Sequence, residues 1–190
     1  KSEIFIVEGD SAGGCFSGDT KVALTDGRDL SFKELVKEDK QGKQNYCYTL
    51  NEKGSIEIAP ILNPRVTKKN TKVVKLILDN SKEIICTPDH KFRTIDNKYV
   101  QAQNLHPKLS LAPLNRKLSE LGGKITIKGY EMVYDNSKRK WIFTHLLADR
   151  YNLKQGTYDL LDRSHKHHVD FNKLNNNPNN IIRMKKEEHM

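Results

Sequence analysis

Cys15 follows Gly14 directly, and a cysteine so placed can turn on its own peptide bond. Its sulfur reaches the Gly14 carbonyl through a five-membered ring, so attack gives an N-to-S acyl shift and a thioester. Glycine leaves that approach sterically open. Such a cleavage needs a nucleophile just after the scissile carbonyl, a group that polarises the bond and a proton carrier for the departing nitrogen. Thr87-Pro88-Asp89-His90 offers candidates for the second and third tasks. Histidine is the usual side chain for protonating an amide nitrogen near neutral pH. A separate set lies near the C-terminus: His167-His168, then Asn180 at 12 residues from His168 and His189 at 9 residues from Asn180. Imidazoles can carry a proton or ligate a metal.

The elements that must position these groups are short. Ile4-Phe5-Ile6-Val7 reads as a strand before a Gly-rich turn. Residues 1–14 are too few to fold alone and are taken as a flanking tail. Thr20–Thr25 reads as a strand closed by Asp26-Gly27. Ser31 caps a helix over Phe32–Lys37, with Glu34 completing a capping box. Tyr46–Leu50, Ile56–Ile61, Val73–Leu78 and Glu83–Cys86 are further strands, separated by turns at Asn51–Gly54 and Asp79-Asn80. Short strands so closely spaced predict a compact, curled β-module over residues 15–113. Pro107 and Pro113 then punctuate the chain, and residues 114–123, ending Gly122-Gly123, read as a linker. Beyond it, Ile125–Tyr134 and Lys140–Phe143 suit a hairpin. Thr144–Tyr151 carries a helical apolar stripe through Leu146, Leu147 and Tyr151.

The chain has 190 residues, 36% hydrophobic and 30% charged, which suits small polar modules better than one large core. No stretch has the apolar length of a bilayer span, so no membrane partner is expected. Three cysteines (15, 47, 86) are too few and scattered for a disulfide framework, which points to a reducing, cytoplasmic setting. The net charge of +9 is uneven: −2 over residues 1–14, +5 over 15–113 and +6 over 114–190. A basic C-terminal region is compatible with binding a phosphate backbone.

Two resemblances run through these motifs. Glu8-Gly9-Asp10-Ser11-Ala12-Gly13-Gly14 resembles a segment of the Toprim domain of DNA gyrase B. Cys15-Phe16-Ser17-Gly18-Asp19-Thr20-Lys21-Val22-Ala23-Leu24 resembles the opening of an intein, and Thr87-x-x-His90 after a strand resembles the second conserved intein block. That resemblance implies a mostly β Hint-type, horseshoe-like splicing module over 15–113, with residues 1–14 as host tail. It implies that His90 contacts the scissile amide and protonates its nitrogen, and that Thr87 twists or hydrogen-bonds the same peptide. Cys47 and Cys86 are read as structural. Splicing calls for no cofactor. The intein pattern also requires a C-terminal half ending in His-Asn before a host Ser, Thr or Cys. The chain ends Lys185-Lys186-Glu187-Glu188-His189-Met190, so the expectation is an N-terminal part that forms a thioester and ligates only with a complementary fragment.

The run His167-His168-Val169-Asp170-Phe171-Asn172 through Ile181 resembles the core of an HNH homing endonuclease. This implies a small α+β (ββα-metal) module over 124–190. Magnesium or manganese would be held by His167 and His189, with His168 activating water and Asn180 holding the His168 ring. The metal would stabilise charge on the scissile phosphate and leaving oxygen. The segment from Gly129 to Trp141 and Thr144–Ala148 resembles the hairpin and helix that precede this motif in such proteins, and His145 within it is read as structural. The partners implied are double-stranded DNA of a gyrase B gene, the complementary intein fragment and the gyrase B host, in the cytoplasm of a bacterial or phage-infected cell. Glu8-Gly9-Asp10, without the rest of its domain, is expected to have no topoisomerase activity. Two alternatives stay open: a zinc site from His165, His167, His168 and His189, and a basic region that only binds DNA or the complementary fragment.

Overall fold

A computed structural model describes residues 3–8 along the main chain, and residues 15–160 and 164–185 in full. The described residues are mostly β. The first elements are β1 (Glu3–Glu8), β2 (Phe16–Ser17), β3 (Lys21–Ala23), β4 (Asp29–Ser31), α1 (Phe32–Lys40), β5 (Tyr46–Leu50) and β6 (Ile56–Pro60). Next come β7 (Leu62–Lys69), β8 (Val74–Ile77), β9 (Glu83–Cys86), β10 (Lys91–Arg93) and β11 (Tyr99–Gln101). The last are β12 (Arg116–Leu118), β13 (Glu131–Asp135), β14 (Lys140–Phe143), α2 (Thr144–Lys154), β15 (Ser164–His168) and β16 (Ile181–Lys185). Among the described residues no helix is long and apolar enough to cross a membrane.

The chain divides into two compact units. The first holds residues 1–22, 29–45 and 61–113. Its main sheet has the order β7-β1-β2-β9-β8, with every pairing antiparallel. The strand expected at Ile4–Val7 lies inside this sheet as part of β1. Strand β7 escapes sequence reading because Asn63, Pro64, Arg65, Lys68 and Lys69 hide its alternation. Pro64 is tolerated because β7 is an edge strand, and Asn63 takes a positive φ of 46° where the register shifts against β1. Helix α1 starts on the expected capping box: the Ser31 hydroxyl accepts from the Glu34 N–H, and the Glu34 carboxylate accepts from the Ser31 N–H. It runs three residues past Lys37 because nothing stops it before Gly42, and Lys37 and Lys40 suit its C-terminal dipole.

The second unit holds residues 23–28, 46–60 and 114–190. Residues 23–28 and 46–60, which precede the boundary expected after residue 113, group with the C-terminal stretch. The β5–β6 hairpin buries Ile56 and Ile58 in one cluster with Val133, Ile142, Leu147, Ala148 and Ile181. Residues 114–123 are not simply a linker: Arg116, Lys117 and Leu118 form β12, which pairs with β13 at Val133, Met132 and Glu131. A three-residue strand with two cations carries no readable alternation. Strands β13 and β14 form the expected hairpin, though β13 begins at Glu131. Helix α2 extends the expected helix to Lys154 and packs on β16, where Arg183 grips Asp149 with two hydrogen bonds of 2.7 and 2.8 Å.

Leu147 is 2% exposed at the centre of this cluster. Leu147→Ala should destabilise the second unit by about 2–5 kcal/mol. Urea unfolding read by the single tryptophan, Trp141 of β14, reports on this unit alone. An unchanged midpoint would show that Leu147 is not a core residue.

Candidate functional site

Strand register builds the first site. Phe16 of β2 is paired with Cys86 of β9, which brings Cys15 alongside Thr87. The Cys15 N–H donates to the Thr87 hydroxyl at 3.0 Å, and the Thr87 N–H donates to the Cys15 carbonyl at 2.9 Å. Both residues are buried, at 6% and 3% exposure. The amide nitrogen that Thr87 engages belongs to the Gly14–Cys15 bond. His90 is set by a turn in which its N–H donates to the Thr87 carbonyl (3.1 Å) and its own carbonyl accepts from Ala102 (2.7 Å). Its ring lies 4.0 Å from the Phe16 ring and 4.9 Å from that of Phe92. Thr87 thus brackets the Cys15 main chain, and His90 is joined to Thr87 through its backbone and to Phe16, the residue after Cys15, through its ring. Gly14 lies outside the described residues.

Sequence reading missed Thr67. Its hydroxyl is 3.3 Å from the Cys15 sulfur, with either atom able to donate. Nothing marks it in the sequence, because a threonine in a strand is ordinary. A hydroxyl there can accept a hydrogen bond from the thiol or donate one to a thiolate. The other two thiols are poor nucleophiles: burial pushes both Cys47 and Cys86 up to about 11.

The second cluster lies in the second unit, on the β15–β16 hairpin and its long loop. Strand alternation puts His168 on the face opposite to His167 and His165. His168 is buried, and its Nε2 lies 3.0 Å from the Asn176 side-chain oxygen. The Asn176 amide donates onward to the Leu174 carbonyl, which orients it as an acceptor toward the ring. The contact with the His168 ring expected of Asn180 is made by Asn176. Asn180 instead holds the loop together: its amide donates to Asp170 and to the Asn175 carbonyl, both at 2.8 Å, and its oxygen accepts from the Asp170 N–H. Burial works to raise the Asp170 carboxyl, but hydrogen bonds from Asn175, Asn180 and the Asn172 N–H outweigh it and hold it low. Asn176 and Asn180 stand four residues apart in a run of asparagines, and only packing tells them apart.

His167 is half-buried and packs edge-on against the Phe171 ring at 5.1 Å, while His189 lies outside the described residues. Among the described residues no three His, Cys, Asp or Glu side chains stand close enough to hold a metal ion. Magnesium and manganese prefer oxygen donors, and the one described candidate ligand is an imidazole on the face away from His168. The described residues do not by themselves fit such an ion. His145 does approach His168, with ring centroids 5.8 Å apart, in a nest with Tyr130 and Phe143. Burial first, then the neighbouring His168 and Lys166, push His145 down to about 4.

Two curated proteins show what the chain is similar to. It is 58% identical along its whole length to a part of DNA gyrase B of Synechocystis sp., of which it spans 18%. Over 82 residues, 43% of the chain, it is 30% identical to the replication factor C small subunit of Methanocaldococcus jannaschii, of which that stretch is 4%. The chain thus spans less than a fifth of the length of either relative. No family model matches it.

His145 gives a pH signature. Its folded value of about 4 is below the ordinary 6.5, so the unfolded chain takes up its proton first as pH falls. The second unit should keep this stability above pH 6.5 and lose up to roughly 3 kcal/mol between 6.5 and 4. In urea melts read by Trp141, His145→Phe should flatten this part of the pH dependence. An equal slope in both proteins would show that the imidazole is not buried in its neutral form.

Proposed function

We propose that the chain is the N-terminal part of an intein of the Hint type, set in a gyrase B host, and that its first task is the acyl shift at Gly14–Cys15. The observation that carries this reading is the reciprocal pairing of Cys15 with Thr87. The Cys15 thiol gives up its proton to solvent water, the Thr67 hydroxyl donates a hydrogen bond to the resulting sulfur, and the sulfur attacks the Gly14 carbonyl carbon. The C–S bond forms and the C–N bond breaks. His90 donates a proton to the leaving nitrogen, giving a thioester and the free amine of Cys15. Thr87 holds that nitrogen by its N–H throughout. The similarity pattern supports the same reading. DNA gyrase B and the small subunit of replication factor C are different proteins, and a stretch shared by both behaves as a segment carried in more than one host. The complementary C-terminal fragment would be the partner for ligation.

The second unit is read as an HNH-type DNA nuclease. Asn176 accepts from His168 Nε2, which leaves Nδ1 with the free lone pair that a general base needs.

A strong thiol should release residues 1–14 from the chain. Cys15→Ala should abolish release, and His90→Ala should slow it by about 100-fold or more. Cleavage by Cys15→Ala at the parent rate, followed by mass spectrometry, would sink the assignment. For the nuclease, nicking of a gyrase B gene fragment should require magnesium or manganese. His168→Ala and Asn176→Ala should each reduce it by about 100-fold or more, with DNA binding kept. Lost nicking at an unchanged urea midpoint in Asn176→Ala, against a lowered midpoint in Asn180→Ala, would separate the two asparagines. Equal nicking by His168→Ala would remove the base from the mechanism.

A further inference from the structure

The residues before Cys15 occupy a built place in the first unit. Strand β1 lies between β7 and β2, so it is paired on both sides where β2 reaches it. On the β2 side, Ile4 is registered with Ser17 and Phe5 with Phe16. On the β7 side, Glu3 is registered with Lys69, Ile4 with Lys68, Phe5 with Val66, Ile6 with Arg65 and Glu8 with Leu62. Strand β7 therefore runs along the whole of Glu3–Glu8, and it brings three cations, Arg65, Lys68 and Lys69, to a segment whose residues 1–14 sum to −2.

We infer that β7 and β2 form a strand slot that captures the peptide N-terminal to Cys15 in extended conformation, chiefly through its main chain. This rests on the proposed acyl shift for its purpose, because the captured peptide is then the host segment that the thiol is to release. Strand addition draws on N–H and C=O groups that every residue except proline carries in full. The slot accordingly tolerates changes of side chain and rejects a lost N–H. At Ile4 and Phe5, with a strand on each side, a proline loses a ladder bond whichever way its N–H would have pointed. The slot also fixes the chain upstream of the scissile bond, while the Cys15–Thr87 pair fixes it downstream. Holding residues 3–8 and Cys15 limits how far the two sides of the scissile bond can part, which favours an intramolecular attack. Once the bond is cut, the released peptide remains as a non-covalent strand. If it leaves, β7 and β2 become open edges that a strand of another copy can fill.

Hydrogen exchange with mass spectrometry on the full Cys15→Ala chain tests the slot without any cleavage. Amides of residues 3–8 and 62–69 should exchange at least about tenfold more slowly than those of a free peptide of residues 1–14. Adding Phe5→Pro should release both segments together, while Phe5→Val should leave them protected. Protection retained at Glu83–Cys86 in the proline variant shows that the rest of the sheet stays folded. Free-peptide exchange of residues 3–8 in the Cys15→Ala chain overturns the proposal, as does proline-insensitive protection. In the parent chain, Phe5→Pro should also slow thiol release by about tenfold or more. If thiol releases nothing from the parent while residues 3–8 are protected, the slot stands and the acyl shift fails. If release proceeds but residues 3–8 exchange freely, the acyl shift stands and the slot fails.

Discussion

The β2–β9 register, fixed at Phe16 and Cys86, is the constraint on which the first unit depends. It sets Cys15 against Thr87, so that one buried threonine both donates to the Cys15 carbonyl and accepts from its amide. Without that register the thiol would be a small core hydrophobe like any other buried cysteine. A slip of one residue would turn every side chain of β9 to the opposite face and take Thr87 away from the amide. The turn that carries His90 hangs from the same point, since the Thr87 carbonyl accepts the His90 N–H. Phe16 fills the space between, touching the rings of Phe32, His90 and Phe92. Packing and placement are therefore one event, and loosening the Phe16 contacts would loosen the histidine.

The second unit places its histidine by a different device. Helix α2 serves as the reference element. Asp149, which also accepts from the Tyr158 hydroxyl, holds Arg183 of β16, and the Asn152 amide donates to the carbonyls of Pro178 and Ile181. The loop between β15 and β16 is thus tied down through its backbone. Thr25 adds a second tether: its hydroxyl donates to the Asn177 side chain at 2.7 Å and its carbonyl accepts from the Asn176 N–H at 2.9 Å. Asn176 is fully buried as a result and has little freedom except to face His168. A dense asparagine run, polar enough to read as surface loop, is here an internal hydrogen-bonded scaffold. Buried amides are kept because each finds partners, and each would cost free energy if one were lost.

Much of the local structure was legible because it rests on local rules. The Ser31–Glu34 capping box, the strands Tyr46–Leu50 and Glu83–Cys86 and the start of α2 at Thr144 follow from side-chain chemistry within a few residues. Strand β7 was not legible, because its cations and Pro64 obscure the alternation that marks a half-buried strand. Thr67, which touches the thiol, shares that concealment. Residues 114–123 read as a linker because β12 is too short to show a period. The sequence could name the residue types around His168. It could not say which amide faces the ring, because every residue from Asn175 to Asn180 except Pro178 is an asparagine.

What the sequence determined by itself is the chemistry on offer: a thiol beside glycine, a Thr-x-x-His block, a pair of histidines before an asparagine run, and a surplus of positive charge. These are properties of residue type and spacing, and they survive without coordinates. What only the tertiary structure decided is adjacency across long separations. Cys15 meets Thr67 and Thr87, residues 23–28 and 46–60 join the C-terminal unit, and Glu3–Glu8 enters a sheet. The reason is that strand pairing is non-local. Its register is chosen by the burial of whole faces at once, so no window of sequence contains the information that places one strand beside another.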